Sequence, residues 1–267
     1  MRPAVPSALA GVLLLSALLV PVLAQRGPTG RGAAPAPRRV ESAVPFKVGE
    51  TLSYDISWTS FLVAGSAVVS VKEKKPSFSS TAYYIVAEGR PIPLLAKLYS
   101  LSYRMETLMD SYGLLSQLGS LHAEEGSARR TSTTRFDRPA RKVFFEEQTV
   151  TTTKLDYPVP ANTQDGLAAL YFLRTRTFKA GDRLTVPVAD SGSLYNLQVT
   201  VSGPVPVKVG AGDMNAWTLK GFITDANNLP VWDNIAIWIS TDARRLPVKM
   251  QADLPVGEFV LALRSVQ

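Results

Sequence analysis

From residue 46 onward the chain alternates apolar and polar positions with a period of two. In ETLSYDISW, Leu52, Tyr54, Ile56 and Trp58 alternate with Thr51, Ser53, Asp55 and Ser57, which predicts a strand with one dry face and one wet face. A second strand is expected from about residue 62 to 73, with Gly65 marking a bend or bulge, and a third in TAYYIVAEG, residues 81–89. Pro91 and Pro93 interrupt RPIPLLAK and allow a short helical turn before the strand in LYSLSYRMETLMD. The segments GLLSQLGSLHAEE, ARRTSTTRFDR and KVFFEEQTVTTTKLDY continue as a meander of falling hydrophobicity, suited to sheet edges or a water-facing layer. Strand pattern resumes at residue 182 and runs to the end. There NIAIWIST and LPVKMQAD flank a compact loop led by Asp242, so Ile235, Ile237 and Ile239 can face Leu246, Val248 and Met250.

One stretch breaks the alternation. Residues 163–177, TQDGLAALYFLRTRT, hold seven consecutive apolar residues from Leu167 to Leu173 and predict a helix with no polar face over two turns, enclosed on most sides. Thr163 or Asn162 can cap its start, Asp165 suits the positive end of the helix dipole, and Arg174 and Arg176 suit the negative end. The expected architecture is therefore mainly β: a curved antiparallel sheet, a β-spiral or half-open barrel, wrapped around one apolar helix. FKVGETL at residues 46–52 is echoed by FKAGDRL at residues 178–184, each opening a strand run. Duplication of a half-barrel and independent reuse of a good turn-to-strand motif both account for that echo.

The first 24 residues differ in kind. An early Arg2, an apolar run from Leu9 to Leu23, and Val22 and Ala24 ahead of Gln25 read as a signal peptide cleaved after Ala24. Pro21 and the Arg- and Pro-rich sequence beyond it argue against retention as an anchor, so no transmembrane span is expected in the mature protein. Residues 25–45 are rich in Pro, Gly, Ala and Arg and read as a disordered linker, leaving residues 46–267 as a single β-rich domain. Export to the periplasm or medium of a bacterium follows. The chain has no cysteine, so no disulfide supports the fold and no lipidated cysteine is expected.

Charge changes the picture less than its total suggests. The net charge is +7, yet Arg2, Arg26, Arg31, Arg38 and Arg39 precede the domain; residues 41–267 hold 24 basic and 22 acidic residues, a net of +2. Nucleic acid is not an expected partner. The basic tail can touch anionic surfaces weakly, and the run Arg129, Arg130, Arg135, Arg138, Arg141 and Lys142 reads as a wet strand face, with phosphate binding as its alternative.

Candidate chemistry is sparse. His122 is the only histidine, so neither a zinc site nor a serine triad has its usual parts, and no nucleophile elbow, metalloprotease helix motif or phosphate loop occurs. Glu124 with Glu125, and Glu146 with Glu147, point to opposite faces of a strand, which is poor geometry for paired acid catalysis. No catalytic residue, metal or cofactor is expected, and the protein is read as a non-enzyme. What remains is an apolar interior. A cleft between sheet and helix can hold a lipid-like or other apolar ligand, with Leu167 and Leu170 in its wall and Tyr171 and Arg174 at its mouth. Trp58 and Trp238, on separate strands, are further candidate ligand residues, although core and rim packing is the better reading of them.

FKVGETLSYDISW followed by Ala64 and Gly65, then DGLAALYFLR, then IWISTDARRLPVKM and LPVGEFVLAL, resemble in order and spacing the bacterial domain-of-unknown-function 3108 family. The resemblance implies an exported β-rich protein akin to lipoprotein-carrier folds and assigns no activity or site residue. The leading expectation is a non-catalytic binding or carrier protein of the cell envelope. An envelope scaffold acting through protein contacts is the alternative, and a carboxylate hydrolase a more distant one.

Overall fold

The computed structural model describes residues 39–59, 62–98, 101–254 and 257–267; the expected signal peptide and most of the linker lie outside them. The strands are β1 (Thr51–Trp58), β2 (Leu62–Ser77), β3 (Ser80–Pro91), β4 (Leu101–Asp110), β5 (Ser116–Glu125), β6 (Ala128–Asp137), β7 (Lys142–Gln148), β8 (Thr152–Pro158), β9 (Arg183–Asp190), β10 (Ser193–Val209), β11 (Gly212–Asp225), β12 (Pro230–Ser240), β13 (Pro247–Leu254) and β14 (Gly257–Val266). Two helices interrupt them: α1 (Pro93–Leu98), the short turn expected after the paired prolines, and α2 (Gly166–Arg174).

All fourteen strands form one antiparallel sheet in the order β8-β7-β6-β5-β4-β3-β2-β1-β14-β13-β12-β11-β10-β9. Each half of the chain is a simple meander. The halves join where β1 pairs with β14, with Thr51 and Gln267 exchanging backbone hydrogen bonds of 3.0 and 2.9 Å. The free edges are thus β8 and β9, and the connection between them carries α2. Side chains rather than a strand ladder seal this seam. Phe136, Val143, Val159 and Ala189 pack there with Tyr157 and Leu194, the Tyr157 hydroxyl donates to the Ser193 carbonyl at 3.2 Å, and Gln164 forms a single parallel bridge to Val188.

The echoed motifs occupy equivalent positions. Gly49 and Gly181 have φ of 91° and 90°. The Gly49 N–H donates to Val71 and the Gly181 N–H to Val201, each at 2.8 Å, while Val71 and Val201 donate back to Glu50 and Asp182. Phe46 and Phe178, three residues before each glycine, are both buried. The same glycine turn leads the chain into the first strand of both half-sheets.

α2 is the wedge between those halves. Leu167, Ala168 and Tyr171 join a cluster with Phe46, Leu52, Tyr54, Ile85 and Leu263, whereas Ala169 and Leu173 join one with Phe178, Val186, Val199, Leu219 and Ile239. Two details of the expected helix change. Its N-cap is Asp165, whose carboxylate accepts from the Ala168 N–H at 2.9 Å; Thr163 instead folds back on the Pro160 carbonyl. Its enclosure is incomplete, since Leu170 and Phe172 are half-buried.

The packed domain also starts before the expected boundary at residue 46. Glu41 pairs with Lys74 and accepts from the Ser111 hydroxyl at 2.8 Å, and Ser42 donates its N–H to the Ser111 carbonyl at 3.0 Å. Two polar residues at the end of a Pro-rich tract thereby find strand-end partners. Among the described residues, no helix is long and apolar enough to cross a membrane.

Candidate functional site

The amino end of α2 is fixed by a polar knot. Asp165 accepts from the Thr107 hydroxyl at 2.6 Å, its own N–H donates to Ser116 Oγ at 2.8 Å, and the Gln164 carboxamide oxygen accepts from the Ser116 N–H and hydroxyl, each at 2.9 Å. Gly119 makes room: a Cβ there would lie 3.0 Å from that of Asp165. Arg138 closes the knot by donating to the Thr163 carbonyl at 2.8 Å and to the Ser116 carbonyl. Burial holds the Asp165 carboxyl above the usual carboxylate range, although the Thr107 hydroxyl and the Ala168 N–H pull it down.

The carboxyl end of α2 is fixed by an ion pair that the sequence does not announce. Arg174, fully buried, donates bidentately to Glu50 at 2.6 and 2.9 Å and to the carbonyls of Arg245 and Arg244 at 3.0 and 3.1 Å. Its guanidinium also lies over the rings of Tyr171 and Phe46, 4.9 and 5.3 Å from their centroids. Every charged face is matched, as a buried arginine requires. Burial raises the Tyr171 phenol well above its ordinary value, and its hydroxyl finds no hydrogen-bond partner among the described residues. Tyr171 and Arg174 therefore do not sit at a cleft mouth; both are buried, and Arg174 ties the helix end to Glu50 and to the carbonyls of Arg244 and Arg245. Glu50 gives little sign of this role in the sequence beyond being an acid just ahead of a strand.

With both ends held, the flank of α2 carrying Gly166, Ala169, Leu170 and Leu173 faces a hollow of about 440 Å³. Its far wall comes from Leu197, Ile223, Ile235, Ile237, Met250 and Leu261, and Asp190, Ser191 and Tyr195 contribute polar groups. A second hollow of about 610 Å³ lies under β1 to β4 and α1, lined by Ile56, Trp58, Gly65, Gly89, Pro91, Leu95, Leu101 and Tyr103. Phe259 and Leu261 of β14 line both. Strand alternation explains the walls: Ile56 and Trp58 on β1 sit opposite Leu261 and Phe259 in register and share their face. The Trp58 and Phe259 rings stack, centroids 6.3 Å apart.

The six candidate ligand residues thus separate. Leu170 and Trp58 line hollows. Leu167 is buried in the core and borders a void of about 20 Å³, and Tyr171 and Arg174 are structural. Trp238 alternates with Ile237 and Ile239, so it projects to the other face of β12, where it lines a separate groove of about 1040 Å³ with Lys220 and Phe222 and has the Lys249 ammonium 4.7 Å from its ring. The hydrophobic pattern identified the inner face but could not show which inner residues meet empty space; Gly89, Phe259 and Leu261 emerge only from the pairing of β1, β3 and β14.

The basic run likewise dissolves into separate roles. Arg129 pairs with Glu124, Arg130 with Glu147 and Lys142 with Asp156, Arg135 lies over the Phe144 ring, and Arg138 belongs to the polar knot. Glu146 pairs with Lys154. His122 lies on β5, its ring nitrogen 3.3 Å from the Thr131 hydroxyl.

These features define a class: a β-barrel-like protein, one open antiparallel sheet coiled around a helix, with apolar space left beside that helix. The chain belongs to the family described as "Protein of unknown function (DUF3108)", whose model matches residues 53–264. Among solved structures it is similar to a β-barrel-like protein of the domain of unknown function DUF1849 from Brucella abortus, with a TM-score of 0.53 at 12% identity over 82% of this chain and 97% of that one. Weaker likenesses reach an exported-type protein with a YmcC-like fold from Bacteroides fragilis (TM-score 0.36, 9% identity, 85% of this chain and 100% of that one). A protein assigned as a lipoprotein from Parabacteroides distasonis is similar at a TM-score of 0.33 (9% identity, 84% and 98%). No curated protein matches. Of these, only the likeness at a TM-score of 0.53 bears on fold, and on fold alone.

Proposed function

We propose that this protein is an exported, non-catalytic binding or carrier protein of the bacterial envelope that holds a lipid-like, apolar ligand beside α2. The observation carrying the proposal is the hollow of about 440 Å³ between the Leu170 flank of α2 and the strands of the second half-sheet. Its size falls within the range of small-molecule sites, roughly 300–1,000 Å³, and its far wall is aliphatic and aromatic. Space with walls of this kind favours hydrocarbon over water. Burial of each methylene contributes about 0.8 kcal/mol, so chain length is expected to set affinity. Export rests on the apolar run and small-residue site within residues 1–24.

Titration of delipidated protein with the uncharged fluorophore diphenylhexatriene tests the reading. Fluorescence should rise on binding, and Leu170→Glu, which places a charge in the wall, should weaken binding at least tenfold. Lys220→Ala, outside this hollow, should leave it unchanged. Absence of binding, or equal binding by Leu170→Glu, would remove the proposal.

A second reading, an envelope scaffold acting through strand edges, has β8 in its favour, since this edge strand is exposed along nearly its whole length. Lys154 and Asp156 on that strand pair with Glu146 and Lys142 of β7. Charges along an edge guard against strand addition, which leaves the hollow as the better supported site.

A further inference from the structure

The two hollows differ in position but share one wall. Phe259 and Leu261 stand between them as a ridge on β14, with the α2 hollow on one side and the hollow under β1 to β4 on the other. Both reach the same rim of the sheet. Antiparallel pairing brings the end of β1, the end of β3 with α1, the start of β12 and the start of β14 to that rim. Trp58 and Pro91 belong to one hollow there, Val231 and Trp232 to the other. Exposed apolar side chains gather at the same rim: Trp58 at 39% exposure, Leu94 at 67% and Trp232 at 44%. Large amphipathic rings suit a boundary between hydrocarbon and a wet headgroup.

The second hollow exists because side chains are missing where the pattern calls for them. Gly89 occupies an inward position between Ala87 and Pro91, and a Cβ built on it meets nothing within 4 Å. Its neighbour Gly65, also facing this hollow, cannot accept a Cβ, which would lie 2.5 Å from the Arg90 carbonyl oxygen. Two glycines thus leave room in the sheet interior, one of them without a packing reason of its own.

From this arrangement we infer that the ligand is a two-chain lipid, with one acyl chain in each hollow, the Phe259 and Leu261 ridge between the chains, and the headgroup left at the rim. The inference rests on the reading of the α2 hollow as a ligand site and adds the substrate class. A single-chain molecule would fill one hollow and leave the other empty. Two chains diverging from one headgroup match two apolar hollows that diverge from one rim.

Native mass spectrometry of the delipidated domain tests it with three probes: palmitate, 1-palmitoyl-lysophosphatidylcholine and dipalmitoylphosphatidylcholine. The wild type should take two palmitates or one dipalmitoyl lipid, and the dipalmitoyl lipid should bind at least tenfold more tightly than the lyso lipid. Gly89→Phe fills the second hollow, and Leu170→Trp narrows the first; each should retain one palmitate and lose the dipalmitoyl lipid by tenfold or more. Gly89→Leu and a thermal melt of every variant separate filling from misfolding. Binding of the dipalmitoyl lipid by folded Gly89→Phe at wild-type strength would overturn the inference. So would a wild type that takes one palmitate and no dipalmitoyl lipid, an outcome that leaves single-chain binding intact. Binding of no probe would defeat the underlying reading as well.

Discussion

Arg174 illustrates how a residue's chemistry can be read correctly and its address wrongly. A cation one turn after Tyr171 suits a helix carboxyl end, and in a cleft it would serve as a headgroup anchor. In the fold it meets Glu50, two carbonyls and two aromatic faces, with no exposure left. Removing one member of such a pair strands the other charge, so Arg174→Met or Glu50→Gln is expected to destabilise the domain by about 3–5 kcal/mol. Chemical denaturation measures this, and a loss below about 1 kcal/mol would contradict the packing described. Tyr171→Phe is a contrasting case. It removes a buried hydroxyl with no partner among the described residues, and stability should stay within about 1 kcal/mol of wild type or rise. Asp165 adds a pH dependence. Its carboxyl is held above the ordinary value of 3.8, so the folded state binds that proton more tightly than the unfolded chain. The stability it contributes is complete below that ordinary value and is lost as pH rises through the folded value. Asp165→Asn keeps a capping oxygen without the charge, and its melting temperature should fall less than that of wild type between pH 3 and pH 7. Equal slopes would show that the carboxyl does not titrate abnormally.

At the scale of elements, the alternating pattern showed a strand-rich chain but neither every strand's limits nor its neighbours: KVFFEEQTVTTTKLDY, one stretch by its pattern, holds both β7 and β8. A helix was legible within residues 163–177 because seven apolar residues in a row suit no half-wet strand, yet it spans only Gly166–Arg174, and the cap is Asp165 because Thr163 is drawn to Pro160. The glycine motif was legible as an echo, and the structure supplies its cause. Both copies need a positive φ to turn the chain into a strand while hydrogen-bonding the neighbouring strand one residue beyond the paired register. Neither glycine has an atom near a built Cβ, so Gly49→Ala and Gly181→Ala should each cost only the left-handed backbone penalty, about 1–2 kcal/mol. Matched losses in thermal denaturation support equivalence of the two glycine turns. A loss several-fold greater at one of them would mean that the copies carry different loads.

For the whole molecule, hydrophobic periodicity was enough to foresee a curved sheet around a buried helix, because fourteen strands that each dry one face must close around something. It could not foresee that the closing pair would be β1 with β14, which sets Trp58 beside Phe259, nor that glycine at position 89 would leave space in the sheet interior. The first depends on a pairing between residues some two hundred positions apart, and the second on Phe259 and Leu261, which that pairing brings to the hollow beside Gly89. The central proposal is that the apolar hollow beside α2 takes a hydrocarbon ligand. The most direct measurement is a crystal structure of the protein purified without delipidation. Chain-like density between Leu170 and the Phe259 and Leu261 ridge, extending toward Trp58 and Trp232, is the predicted result. A hollow closed by inward rotation of Leu170, Phe259 and Met250, with no density between them, would contradict it.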